Sequence, residues 1–262
     1  MDKAMRIAAT GMRAQQMYVD TIANNLANVN TTAFKKNKIE FQDLLYQSFR
    51  SAGAATGEDT SVPTELQVGS GTKPVATSKM FSQGDAVATD NPLDLAIEGD
   101  GFLQVTKQDG TILYTRDGSL KISADGQLVT SDGYHIVPDI SLPLDTESIS
   151  FSRDGIVSVI VSGSNEAEQL GQIELAKFVN PAGLKSMGQN LFAKTSASGD
   201  PLLGNPDSEG YGAIAQGYLE GSNVQMVEEM VSMIMAQRAY EINSKTIKTS
   251  DDMLGITNNL KR

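Results

Sequence analysis

Two long segments with apolar stripes, residues 4–29 and 223–260, stand at opposite ends of this chain, and everything between them is rich in Gly, Asp, Ser and Thr. A helix with an apolar stripe is stable only when that stripe is covered, because an isolated helix is marginal in water. Helices so far apart in sequence must find their cover in each other or in further copies of the chain. The pattern predicts an assembly subunit more than an enzyme.

In the N-terminal segment the seam residues are Met5, Ala8, Met12, Gln15, Val19, Ile22, Leu26 and Val29. Their alternating steps of three and four are those of a coiled coil. About 25 residues at 1.5 Å each span nearly 40 Å. Gln15 is the polar member of the seam and is expected to set register, and Gly11 is expected to be a weak point costing about 1 kcal/mol relative to Ala. The C-terminal segment carries two stripes. One holds Val224, Val231, Met235, Ala239, Ile242, Met253, Ile256 and Leu260, and the other Met226, Met230, Met233, Tyr240, Ile247 and Leu254. At 100° per residue they lie about 160° apart. One partner helix cannot cover both, so contacts from other subunits are implied. The Met226–Met235 run reads as a soft packing surface between molecules. Ser222 and Asn223 are N-cap candidates, and Ser222 with Gln225 fits a capping box.

Asn28–Thr32 favours turns and ends the first helix. Residues 34–46 read as a short extended or helical connector, with Lys35, Lys36 and Lys38 as a solvated face or as partners for acidic groups of a neighbour. Residues 47–74, small and polar, are expected to form an extended hairpin or arm ordered by neighbours. From Pro74 to Ala193 strand signals dominate. Asp109-Gly110, Asp117-Gly118, Asp125-Gly126, Asp132-Gly133 and Asp154-Gly155 suit tight hairpin turns, predicting a β-meander. Gly171–Val179 reads as one further strand. The fold class is α+β: N- and C-terminal helices paired as a coiled coil (1–33 and 214–262), a connector and extended arm (34–74), and a β-rich outer domain of hairpins (75–213).

Composition narrows the functions. Hydrophobic residues make up 40% of the chain with no Trp and 11 Met, which predicts an aliphatic core supplemented by methionine. A net charge of −11 argues against nucleic acid and anionic lipid as partners. With no Cys and a single His, His135, thiol chemistry and Cys/His zinc sites are impossible, and a Ser-His-Asp triad could only use His135, which reads as structural. Gly69-Ser-Gly71 lacks the Lys-Ser/Thr ending of a phosphate loop, and the Asp-Gly pairs lack the spacing of a calcium loop. No catalytic, cofactor-binding or metal-ligating residue is expected. No stretch approaches the ~20 apolar residues of a membrane span. Met1–Thr10 contains Asp2, Lys3 and Arg6 in place of a signal peptide's apolar core, so any route out of the cytoplasm is expected to avoid a cleaved signal.

Several longer motifs are distinctive. Ala23-Asn-Asn-Leu-Ala-Asn-Val-Asn-Thr-Thr-Ala-Phe-Lys35 resembles the N-terminal signature of bacterial flagellar rod and hook proteins. Ser222-Asn-Val, Glu229-Met, Ala236-Gln-Arg-Ala-Tyr-Glu-Ile-Asn-Ser-Lys245 and Asp252-Met-Leu254 resemble its C-terminal partner, and Ile97-Glu-Gly-Asp-Gly-Phe102 and Tyr114-Thr-Arg-Asp-Gly118 its middle. Ala33 departs from the family, whose signature commonly has Gly before Phe-Lys. If that position needs positive φ, Ala strains it.

Phe41-Gln-Asp-Leu-Leu-Tyr-Gln47 and the insert through Gly69 resemble distal rod subunits. The resemblance implies a structural subunit of the flagellar basal-body distal rod, whose terminal helices line a hollow, stiff drive shaft that transmits torque from motor to hook. The assembly residues it implies on the helices are Met5, Met12, Val19, Ile22, Asn24, Asn25, Leu26, Val29 and Phe34, with Val224, Met230, Val231, Met235, Arg238, Tyr240, Ile242, Asn243, Met253 and Leu254. Phe41 and Leu45 resemble a Phe-x-x-x-apolar export element. The implied partners are copies of itself, other rod subunits and hook protein, the bushing rings, and the flagellar type III export apparatus; no nucleic acid and no membrane insertion are implied, and the implied location is the periplasm-spanning rod. Rival readings are a proximal rod or hook subunit, a secreted oligomeric β-rich adhesin, and a hydrolase using an Asp/Glu pair.

Overall fold

The computed structural model describes residues 2–259 apart from 51, 53, 54, 58, 59, 62, 108, 144, 164 and 165, so Leu260 of the C-terminal stripe lies outside the described residues. Two helices, α1 (Asp2–Ala27) and α2 (Met226–Asn259), flank a middle built of strands, which makes the protein α+β. No helix among the described residues is long and apolar enough to cross a membrane. The chain forms two compact units and passes between them at 27/28, 36/37, 78/79 and 224/225.

The first unit holds α1, α2 and residues 37–78. Residues 37–79 fold back as one long, nested hairpin. Asn37–Asp43 pairs with Thr72–Lys79, Tyr46–Arg50 with Leu66–Gly69, and Ala55–Gly57 with Thr60–Ser61. The hairpin is fastened to α1 side by side. Tyr18 meets Phe41 edge to face with centroids 6.2 Å apart, Lys3 Nζ donates to Gln47 Oε1 at 2.9 Å, and Thr10 Oγ1 accepts from Thr72 N–H at 3.3 Å. Gly71 is required here: a Cβ would stand 2.2 Å from Thr10 Oγ1, and its φ is +115°.

The second unit, residues 28–36 and 79–224, contains the hydrophobic core. Its central strand is Phe102–Thr106. One edge pairs along its length with Ile112–Thr115; the other is shared by His135–Val137, opposite residues 104–106, and Leu175–Lys177, opposite residues 102–103. Leu95, Ile97, Leu103, Val105, Leu120, Ile136, Val157 and Leu175 pack together beneath it. A second cluster is aromatic: Phe102, Tyr114, Phe178 and Phe192 with Phe81, in edge-to-face pairs at 4.8–6.0 Å. The expected methionine share of the core is absent, since no Met stands among the buried described residues.

Four of the five Asp-Gly pairs make the expected hairpin turns, with Gly110, Gly126, Gly133 and Gly155 at φ of +75° to +83°. Asp117-Gly118 does not. Gly118 is needed instead because a Cβ would collide with the Leu95 carbonyl oxygen at 1.8 Å. The strand after it, Leu120–Ile122, therefore leaves Ile112–Thr115 and pairs with Leu128–Thr130, while Ile112–Thr115 pairs with Leu191–Ala193. The simple meander is broken at that point. Gly171–Val179 is likewise not one strand. Ala167–Gln172 joins Ile156–Val161, whereas Leu175–Lys177 joins the central sheet, with buried Ile173 between them.

Ala33 adopts φ +55°, and its N–H donates to the Glu220 carbonyl at 2.7 Å. The left-handed backbone costs an L-residue about 1–2 kcal/mol, which the hydrogen bond and burial of this loop hold in place. Replacing Ala33 with Gly is expected to raise stability by about 0.5–1 kcal/mol after the larger unfolded-state entropy of Gly is subtracted. A thermal melt should show a rise of about 1–4 °C; an equal or lower midpoint would contradict the strain assigned to this residue.

Candidate assembly interface

Two contacts fix how α1 and α2 lie. A Cβ on Gly11 would sit 2.9 Å from Asn243 Nδ2, and Asn25 Nδ2 donates to Glu229 Oε2 at 3.2 Å. From 11 to 25 and from 243 to 229 the separation is the same fourteen residues, two heptads, run in opposite directions. The helices are therefore an antiparallel, heptad-registered pair. Gly11, a weak point in an isolated helix, is here the position of close approach. Gln15 makes no hydrogen bond among the described residues; the polar contact in the pair belongs to Asn25.

Asn25 is 2% exposed, and its amide is fully used. Oδ1 accepts from Asn37 N–H at 2.9 Å, while Nδ2 donates to the Asn37 carbonyl at 2.9 Å and to Glu229. One side chain thus joins α1, α2 and the first strand of the hairpin. It suits this place because Asn alone among short side chains offers both a donor pair and an acceptor.

α2 turns its small and polar residues toward α1. Glu229, Ala236 and Ser250 are buried, and Asn243 completes this seven-residue repeat. Met233, Ile247 and Leu254 flank it, partly buried. The outward face mixes the two stripes: Val231, Met235 and Ile242 of one are exposed together with Met226, Met230 and Tyr240 of the other and with Val227 and Ile234 of neither. Val227 is 74% and Met235 67% exposed, and Met230, Val231, Ile234 and Ile242 continue the patch along the first half of the helix. Beyond it, Lys245, Lys248, Asp251 and Asp252 make the outer surface charged before Met253 and Ile256.

The remaining candidate residues scatter. Ile22 is buried, and Met5, Met12, Val19 and Leu26 are partly buried. Asn24 is exposed, and its Oδ1 accepts from Asn37 Nδ2 at 3.3 Å. Tyr240 and Met253 are exposed, and Arg238 pairs with Glu241 at 3.3 Å on the open surface. Val29 and Phe34 are partly buried in the second unit, and Val224 is buried there. Phe41 lies on the hairpin against Tyr18, and Leu45, between two of its strands, is 88% exposed. Asn223 does not cap a helix, since α2 starts at Met226. Its Nδ2 donates to the Met80 and Ser82 carbonyls at 2.8 and 3.1 Å, and its Oδ1 accepts from Lys36 N–H at 2.7 Å.

Sequence reasoning missed a buried charge cluster in the second unit. Glu220, 1% exposed, receives Lys35 Nζ on Oε1 at 2.5 Å and faces Arg116 Nε across 3.0 Å from Oε2. Gly84 N–H also donates to Oε1 at 2.9 Å, Lys35 donates to the Ser82 carbonyl at 2.7 Å, and Arg116 donates to the Gly99 carbonyl at 2.5 Å. Burial first, and then Arg116, pull Lys35 below the usual lysine range, against the opposing charge of Glu220. Lys35 is thus not part of a solvated face, though Lys38 is exposed. Lys35 belongs to the N-terminal signature and Arg116 to the middle one, while Glu220 stands two residues before the C-terminal one. A lysine flanked by Phe34 inside a non-helical signature was the available hint.

Three stretches match family models: residues 5–35 the flagella basal body rod protein model, residues 96–159 the D1 domain of the flagellar hook protein FlgE/F/G, and residues 215–260 the C-terminal part of the flagellar basal body rod FlgEFG protein. The flagellar basal-body rod protein FlgG of Borreliella burgdorferi is 56% identical, with both chains covered completely. The chain belongs to the FlgG family of flagellar basal-body rod proteins. FlgG proteins of Buchnera aphidicola, at 50% identity over 95% of each chain, and of Agrobacterium fabrum, at 46% over 99% of this chain and all of the other, agree. As a FlgG-family member the protein is a structural subunit of the flagellar basal-body rod, and the three matched stretches are those that supply Lys35, Arg116 and Glu220.

Removing the charge of Glu220 would strand two buried cations. Glu220→Gln is expected to lower unfolding free energy by about 3–5 kcal/mol, read from urea unfolding of the purified chain. Arg238→Ala, which breaks an exposed pair, should leave the midpoint unchanged. Similar midpoints for both variants would show that the cluster does not hold the unit together.

Proposed function

We propose that the chain is a subunit of the distal rod, polymerising helically with copies of itself into a rigid, hollow shaft that carries torque from motor to hook, and that it has no catalytic role. The outward apolar patch of α2 carries this reading. Six large apolar side chains on a helix already paired on its other face are a surface for another copy. A contact between unlike faces that does not close on itself gives an open helical filament. The apolar residues of the long hairpin, Leu45, Tyr46, Phe49 and Leu66, are exposed and would bridge to neighbouring subunits. In this reading the terminal helices line the channel, the neighbours along the shaft are other rod subunits and hook protein, and the bushing rings surround it in the periplasm. The subunit would travel unfolded through the type III export apparatus, with Phe41 and Leu45 as the export element and no cleaved signal.

Ile234→Glu combined with Met235→Glu tests the patch. Both side chains are exposed, so the melting temperature of the free subunit should not move, whereas polymerisation and motility should be lost. Rods of normal length from this variant would refute the role assigned to α2.

On the α2 side the centre of the seam is Glu229, Ala236, Asn243 and Ser250, and its apolar flanks Met233, Ile247 and Leu254 are only partly buried. The free subunit's helices are therefore expected to be largely unformed and to order on assembly. Far-UV circular dichroism of dilute monomer should report well below the 26 and 34 helical residues of the two elements, rising on polymerisation. Full helicity in the dilute monomer would contradict coupled ordering.

A further inference from the structure

Lys79, in the second unit, carries its ammonium into a cavity of about 190 Å³. Nζ lies 5.1 Å from the Phe34 ring centroid and 5.9 Å from that of Phe192, and it donates to the Lys35 carbonyl at 3.3 Å. Among the described residues no carboxylate comes within ion-pair distance of it. Three other cations of the unit are matched, Lys35 and Arg116 by Glu220 and Lys177 by Asp100 at 3.1 Å, whereas partly buried Lys36 has no ion pair among the described residues but does not line the cavity. Asp117, the acid bonded to the cavity-lining Asn190, is already engaged, accepting from Asn190 Nδ2 at 3.2 Å and from Ser119 Oγ at 2.7 Å. Burial pulls Lys79 below the usual lysine range, and no opposing charge among the described residues offsets it.

We propose that this cavity receives the carboxylate of an Asp or Glu side chain from a second copy of the chain, with Lys79 as its counter-charge. The inference rests on the subunit reading above. The cavity is sized for one side chain and not for a nucleotide or a folded peptide. The chain carries 32 acidic against 21 basic residues, so a second copy arrives with carboxylates in surplus. Rings on two sides lower the local polarity around the ammonium, and an ion pair gains strength in a lower dielectric. The Ser186 hydroxyl in the lining can donate to the second carboxylate oxygen.

The test uses the purified full-length chain, polymerised and then treated with a water-soluble carbodiimide, which couples an amine to a carboxylate in contact with it. Mass spectrometry should find Lys79 in an isopeptide bond to an Asp or Glu of another subunit. Lys79→Arg should polymerise without that cross-link. Lys79→Met should melt as the wild type does but need at least about tenfold more subunit to polymerise, a loss of one charged contact per interface. A polymer without a Lys79 cross-link, or Lys79→Met polymerising at the wild-type concentration, would overturn the site while leaving the subunit reading intact. A Lys79→Met chain that loses stability as a monomer would show that the cation serves its own fold, and a wild-type chain that never polymerises would reject the subunit reading and this partner with it.

Discussion

α2 spends its small and polar residues on its own chain and leaves its large apolar ones facing outward. That inversion governs the first unit. Glu229, Ala236, Asn243 and Ser250 let α1 come close at Gly11 and Asn25, and close approach is what a heptad-registered antiparallel pair needs. A seam centred on small and polar residues, with its apolar flanks only partly buried, specifies geometry through close contact and hydrogen bonding. The outer face has the opposite character. Burying one Val, Ile or Met side chain is worth about 1.5–3 kcal/mol, against about 4–15 kcal/mol to immobilise a partner. Several must be covered together, which a contact extending over several helical turns accomplishes.

The second unit is held by a different device. Its core is aliphatic and aromatic, but the loops that complete it are joined by Glu220 between Lys35 and Arg116. Such a cluster is a weak source of net stability, because desolvating three charges offsets most of their attraction. Its effect is on arrangement: with Glu220 missing, Lys35 and Arg116 are both buried without a counter-charge. The same loop holds Ala33 in left-handed backbone through the Glu220 carbonyl, so strain and charge pairing meet at one residue. For a rod subunit, a joint that tolerates only one arrangement favours stiffness.

The helices, the hairpin turns at four Asp-Gly pairs and the family were legible in the sequence because each rests on local pattern: 3.5-residue spacing, positive-φ turn chemistry, and long contiguous motifs. The two stripes of α2 were legible only in part: Met233, Ile247 and Leu254 turn toward α1, but Met226, Met230 and Tyr240 of the same stripe are exposed. The turn at Asp117-Gly118 misled because a glycine serves a turn and a close backbone approach equally well, and only the Leu95 carbonyl beside it distinguishes them. Lys35 misled because charge in sequence signals solvent unless its partner is known, and Glu220 lies 185 residues away.

By itself the sequence determined that the two ends are helices with more apolar surface than one chain can cover, and that hairpins joined by Asp-Gly turns make up much of the middle. Tertiary structure alone decided which residues of α2 turn inward, that Gly11 and Asn25 set its register, and that Lys35 and Arg116 from two distant signatures converge on the Glu220 carboxylate. Periodicity reports that a face is apolar but not what covers it. Register and charge pairing depend on atoms brought together from distant parts of the chain, which no local pattern encodes.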